Sequence, residues 1–111
     1  MNLDQNKLKY IVDSKSTIED AWSVININDH RSVIVVDGDK VVGTLSDGDL
    51  RQAILSKRLF STPVWEVMNT NFMYISGEKK KEGLKVLEKE DYIFLLPVVD
   101  EEMALIDIIV K

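Results

Sequence analysis

Few side chains in this 111-residue chain have the reactivity that catalysis needs. It has no cysteine, so neither disulfides nor thiolate chemistry is available. The single histidine, His30, has no base or orienting group beside it in sequence. One stretch does combine groups at a spacing suited to holding a ligand: Gly43-Thr44-Leu45-Ser46-Asp47-Gly48-Asp49. A glycine lets a backbone approach closely. A serine just before a helix can offer its hydroxyl to a phosphate that also meets the helix N–H groups and dipole. The same serine and Asp49 also suit plain helix capping, which needs no ligand. Asp37-Gly38-Asp39 reads as a turn, because a calcium loop would need several more oxygens and a distal Glu in register.

The elements that must position this stretch are a hairpin and a helix. Arg31–Asp37 and Lys40–Leu45 are apolar runs around a two-residue turn signal, and both read as strands covered on two faces. After Ser46 a helix carries Leu50, Ala53 and Ile54 on one side. Upstream, Lys9–Val12 reads as a short strand. Ser16 and Glu19 fit a capping box, and Ile18, Ala21, Trp22 and Ile25 follow with helical spacing. Downstream come a break at Leu59–Pro63, a helical turn at Val64–Met68 and a strand at Asn71–Ile75. A helix from Ser76-Gly77 then has Leu84 and Leu87 facing inward and Lys79-Lys80-Lys81 outside. Strands at Ile93–Asp100 and Met103–Val110 complete the pattern.

Composition bounds the possible partners. Apolar residues make up 45% and charged residues 30%, the balance of a globular chain. The net charge of −5 argues against a nucleic-acid backbone as partner, so no DNA is expected. No run of 18 apolar residues and no charged-then-apolar leader occurs, so neither a membrane span nor a signal peptide is expected. A cytoplasmic location fits these features and the missing cysteines.

The order strand, helix, strand, strand, helix is followed by a second copy that stops short. Val35-Val36-Asp37 matches Val98-Val99-Asp100 at an offset of 63, and the helices match at 62, as in Trp22 with Leu84. Neither half alone can cover its sheet, so the two should pack around a pseudo-twofold axis.

That repeat resembles the CBS domain, which occurs in tandem pairs called Bateman modules. Val35 to Leu50 carry the likeness in the first copy, and Leu96-Pro97-Val98-Val99-Asp100 in the second. It implies an α/β (α+β) fold of two β-α-β-β-α repeats, residues 1–62 and 63–111, the second lacking its last helix. A narrower likeness rests on Ser46–Ile54, Pro63-Val64 and Val67-Met68-Asn69, which resemble the pairs in front of bacterial sugar-phosphate or nonulosonate nucleotidyltransferase domains. It implies a non-catalytic regulatory front end whose catalytic domain lies beyond Lys111.

Such pairs hold adenine nucleotides, AMP for example, between their copies through a glycine, apolar, apolar, Ser/Thr, any, any, Asp pattern. Residues 43–49 fit that pattern at every position. The resemblance therefore implies ligand contacts at Thr17, Gly43, Ser46, Asp47 and Asp49. In that reading Asp49 accepts ribose hydroxyls, and adenine lies among residues such as Ile11, Val12 and Val41. Two aspartates beside the site disfavour many phosphates, and Arg31, Lys40 and Arg51 are the candidate cations. The offset of 63 carries Gly43 to Ile106, Thr44 to Asp107 and Ser46 to Ile109, so the second site is expected to be lost. Surplus apolar residues, including Trp22, Phe60 and Trp65, fit a homodimer surface. A ligand-free dimerisation module of a larger enzyme is the rival reading.

Overall fold

The turn at Gly38-Asp39 fixes the first hairpin, because Gly38 adopts a positive φ of 66° at no steric cost. In the computed structural model, which describes residues 3–111, Asp37 pairs with Lys40 across that turn. The strands are Ser32–Asp37 (β2) and Lys40–Ser46 (β3). A short strand, Ile11–Asp13 (β1), lies parallel to β2 on its other side, giving the sheet order β1-β2-β3. Central β2 is buried on both faces as expected. Edge strand β3 is not: Val41, Gly43 and Leu45 are buried, while the alternate residues are only half covered. Successive side chains of a strand point to opposite faces, and one face of β3 is the better covered, so alternation survives there despite the apolar sequence.

Two helices back this sheet: Ile18–Asn28 (α1) and Asp47–Leu55 (α2). The capping box of α1 is Thr17 with Asp20, one residue later than the Ser16–Glu19 pair expected from sequence. The backbone of Ser16 is already engaged, its N–H donating to Asp13 and its carbonyl accepting from Val64. The helix therefore starts one residue on. Ile18, Ala21 and Ile25 face Val33, Val35, Leu45 and Leu50 in the first core, which Val64 completes. The segment between the halves is thus pinned to the first sheet: the Ile18 N–H donates to Thr62, and Asn69 exchanges two backbone hydrogen bonds with Thr44.

The second half repeats the plan. Ile75–Ser76 (β4) is parallel to Leu95–Val99 (β5), which is antiparallel to Leu105–Val110 (β6), and the sheet order is β4-β5-β6. These strands are shorter than the expected Asn71–Ile75, Ile93–Asp100 and Met103–Val110. Residues 71–74 form no strand, the Asn71 N–H being taken by the Asn69 side chain. At the hairpin, the Asp100 carboxylate accepts from the Glu102 and Ala104 N–H groups, which holds those residues in a loop.

The helix of this half opens as a 3-10 turn at Gly77–Glu82 before becoming Gly83–Glu88 (α3). The buried positions Gly83 and Leu87 stand 62 residues after Ala21 and Ile25 of α1, so the helical phase of the first copy is kept. Leu87 is fully buried and Gly83 lies against Ile109, whereas Leu84 is exposed, contrary to its expected inward position. Val12 with Val35 and Ile75 with Val98 are paired at the predicted offset of 63, and both hairpins carry a bulge at the same place. No counterpart of α2 follows β6 among the described residues.

The sheets meet face to face through Tyr10, Ile34, Val36 and Val41 against Leu95, Val99, Leu105 and Ile108. Hydrogen bonds between the sheets, and others within each half, come in images. The Val41 N–H donates to Met103 and the Leu105 N–H to Asp39, while the Asp47 N–H donates to Arg31 and the Lys111 N–H to Phe94. This reciprocity is the expected pseudo-twofold relation. No helix among the described residues is long and apolar enough to cross a membrane.

Candidate functional site

Ser46 ends β3 and begins α2. Its hydroxyl accepts the Asp49 N–H at 3.0 Å, and the Asp49 carboxylate accepts the Ser46 N–H at 3.0 Å. This reciprocal capping box fixes both side chains at the mouth of the helix. It uses one oxygen of the Asp49 carboxylate and leaves the Ser46 hydroxyl proton free to donate.

Both residues line a cleft of about 320 Å³ between the two halves. The first half contributes Ser32, Thr44, Ser46 and Asp49, and the connecting segment adds Asn69, Asn71 and Met73. The opposite wall is the chain entering β5, from Tyr92 through Ile93 and Phe94 to Leu95. The cleft therefore pairs hydroxyl, amide and carboxylate groups on one side with an aromatic and aliphatic wall on the other. Such a division suits a ligand with a flat apolar part and a polyhydroxylic part.

The other residues singled out from the sequence are dispersed. Thr17 does not line this cleft: its corner adjoins Val36, while Ser46 pairs with Ser32, about 13 Å away along β2. The Thr17 oxygen accepts the Asp20 N–H as the cap of α1. Gly43 meets protein rather than open space, since a Cβ there would lie 2.6 Å from Met68 Sδ and 3.0 Å from the Asn69 carbonyl. Its missing side chain admits the 68–69 segment, and that segment forms part of the cleft. Asp47 turns to the other side, 3.1 Å from Arg31 Nε and 3.8 Å from Arg51. Ile11 and Val41 lie between the sheets and Val12 lies in the first core, so none of the three offers a surface to adenine here. Lys40 is at the hairpin turn, at the far end of β3 from Ser46. No lysine or arginine lines the cleft among the described residues.

Strand register places different residues in the second copy than a constant offset does. Val35 pairs with Gly43 and Val98 with Asp107, so the longer second hairpin moves β6 by one more residue. Asp107 stands where Gly43 stands, Ile108 where Thr44 does, and Val110 where Ser46 does. Burial pushes the Asp107 carboxyl up, but hydrogen bonds from the Lys7 and Lys80 ammonium groups and the Ile108 N–H outweigh it and hold the pKa at about 2. Tyr10 is buried with its ring against the edge of His30, at 5.3 Å between centroids. The His30 ring nitrogen Nδ1 lies 2.8 Å from the Asn28 carbonyl. Side chains thus occupy the place related by the pseudo-axis to the first cleft.

Sequence reasoning missed Tyr92, Phe94, Asn69 and Asn71. Their signal was positional: Tyr92-Ile93-Phe94 precedes β5 as Asp29-His30-Arg31 precedes β2, and a pseudo-axis carries the chain entering one sheet across to the other's strand end.

Two copies of a β-α-β-β unit, packed sheet against sheet around a cleft, define a tandem-repeat α+β module. The sequence profile of the CBS domain matches residues 9–56. AcuB of Vibrio cholerae, a protein named for acetoin utilization, is 30% identical over 94% of this chain and 78% of its own, with a TM-score of 0.78. CbpB of Listeria monocytogenes, solved in complex with c-di-AMP, is 24% identical with a TM-score of 0.74, over 91% of this chain and 79% of its own. A CBS domain protein of Pyrobaculum aerophilum complexed with AMP is 13% identical with a TM-score of 0.72, over 90% and 78%. No curated protein matches the chain by sequence. The chain belongs to the CBS-domain family, and its two halves have the fold of a Bateman module.

Proposed function

We propose that this module is non-catalytic and senses an adenine nucleotide or a related ligand in the cleft between its halves. The observation that carries the reading is the shared construction of the cleft, with Ser46 and Asp49 from one half and Tyr92 to Leu95 from the other. A ligand held there favours the arrangement of the halves that closes on it, by its difference in affinity for the two arrangements. The Tyr92-Phe94 wall takes the base, Ser46 donates to a phosphate, and Asp49 accepts from the ribose. Gly43 acts through the fit of Met68, and Thr17 and Asp47 act as a cap and an ion-pair partner. Residues 1–62 and 63–111 are the two repeats, with residues 63–69 pinned to the first. The protein signalled to is a nucleotidyltransferase-type catalytic domain in the same polypeptide, on the strength of the Ser46–Ile54 and Val67-Met68-Asn69 motifs, and the setting is the cytoplasm. The c-di-AMP and AMP of the two similarly folded structures support this class of ligand.

Isothermal titration with AMP tests the reading. Tyr92 is 90% exposed, so Tyr92→Ala leaves the fold intact; it should weaken binding about fivefold, the value of one base–aromatic stack. Absence of binding at millimolar AMP overturns the reading and leaves the fold untouched.

One observation favours a second role in assembly. Trp22 of α1 and Phe60 line a common groove, and Leu59, Phe60 and Trp65 are more than half exposed on the same half. A second copy covering that groove would make the module a homodimer with or without ligand. Sedimentation of the wild type and of Phe60→Ser, each with and without AMP, separates assembly from sensing.

A further inference from the structure

Arg31 is held beside the cleft by three contacts. Its backbone sits in the left-handed region at φ 62°, and its carbonyl accepts the Asp47 N–H at 2.9 Å. Its Nε donates to the Asp47 carboxylate at 3.1 Å. Its guanidinium lies 5.3 Å from the centroid of Phe94, a ring that lines the cleft. Arg31 and Phe94 are also images of each other across the pseudo-axis, so the cation sits where the two halves meet. Asp47 and Lys111 are a second image pair: the chain places a carboxylate on one side of that contact and an ammonium on the other. Lys111 lies 5.7 Å from the same ring and donates to the Glu90 carbonyl.

We propose that the Arg31–Asp47 pair sets the charge preference of the cleft, so that a nucleoside or its monophosphate binds better than a polyphosphate. This rests on the nucleotide reading given above. The Arg31 guanidinium bonded to the Asp47 carboxylate presents little net charge to a ligand, the exposed Arg51 beyond Asp47 does not line the cleft, and Asp49 adds a negative charge on the cleft wall itself. Each further phosphate brings more negative charge into a cleft that Asp49 lines and that no lysine or arginine lines among the described residues. Salt screens that cost and narrows the differences. Removing the Asp47 charge leaves Arg31 on Phe94 as an uncompensated cation at the rim, and the preference then moves toward longer phosphate chains.

The test is titration calorimetry of the full chain with adenosine, AMP, ADP and ATP, without divalent cations, at low and at 0.5 M salt. In the wild type, affinity should fall about twofold or more for each phosphate added beyond AMP at low ionic strength, and less at high salt. Asp47→Asn should flatten or reverse that order, whereas Arg31→Gln should keep or steepen it. Circular dichroism melting reports whether each variant is folded, and the Arg31→Gln series decides if Asp47→Asn is not. The proposal is overturned if wild-type affinity rises from AMP to ATP, if folded Asp47→Asn keeps the wild-type order, or if folded Arg31→Gln flattens or reverses it. Binding of none of the four compounds overturns the nucleotide reading itself, a result distinct from binding in the wrong order.

Discussion

Asp107 occupies in the second hairpin the register position that Gly43 occupies in the first, each paired with the bulge valine of its partner strand. At one position the absent side chain admits Met68 and Asn69 and so shapes the cleft. At the other, a carboxylate gathers Lys7 and Lys80. The halves share a fold and differ in what fills this register position.

Gly43→Ala should destabilise the protein by about 1–3 kcal/mol, the usual range for overpacking. The added Cβ meets Met68 and the Asn69 carbonyl, and only the methionine can move away cheaply. Chemical denaturation checks the loss, and Gly43→Ala with Met68→Ala should recover part of it.

Asp107 makes stability depend on pH. Its folded pKa of about 2 lies below the ordinary 3.8, so the group contributes stability above about pH 4. That contribution disappears as pH falls through 2. Both lysines retain solvent contact, so the effect is on the order of 1 kcal/mol. Denaturation of the wild type and Asp107→Asn at pH 7, 3 and 1.5 should show a gap that shrinks and closes in that order.

Thr17→Ala should cost about 1 kcal/mol through loss of the cap of α1, with AMP affinity unchanged. A parallel fall in affinity would show that Thr17 reaches the ligand after all.

Leu87→Ala should cost 2–5 kcal/mol, as truncation of fully buried leucines does, and Leu84→Ala should change stability by less than about 0.5 kcal/mol. Thermal melting of the two variants checks the phase of α3 directly.

The strands and helices of the first half were legible because its hydrophobic periods are unbroken and its turn chemistry is explicit in Asp37-Gly38-Asp39-Lys40. The Ser46–Asp49 corner was legible for the same reason: capping residues announce themselves three positions apart. The inward face of α3 is one position off the expected one because Leu84 and Leu87 both suit a buried face in sequence, whereas the buried pair is Gly83 and Leu87 and Leu84 takes the outer place that half-buried Trp22 has in α1. The cleft's far wall was invisible from local pattern, since Tyr92 and Phe94 reach Ser46 only through the packing of two sheets. The second-copy register slipped because one additional hairpin residue does not disturb an apolar run, though it moves every side chain to the other face.

The two hydrogen bonds between Asp39–Val41 and Met103–Leu105 fasten the sheets where the hairpins begin, and the cleft lies at the opposite end of β3, about 20 Å away. The two sheets are thus fastened by hydrogen bonds at one end and packed through their shared core, with the cleft at the other end. Under the nucleotide reading, a ligand spanning Ser46 and Phe94 would act on the two halves at the end far from that fastening.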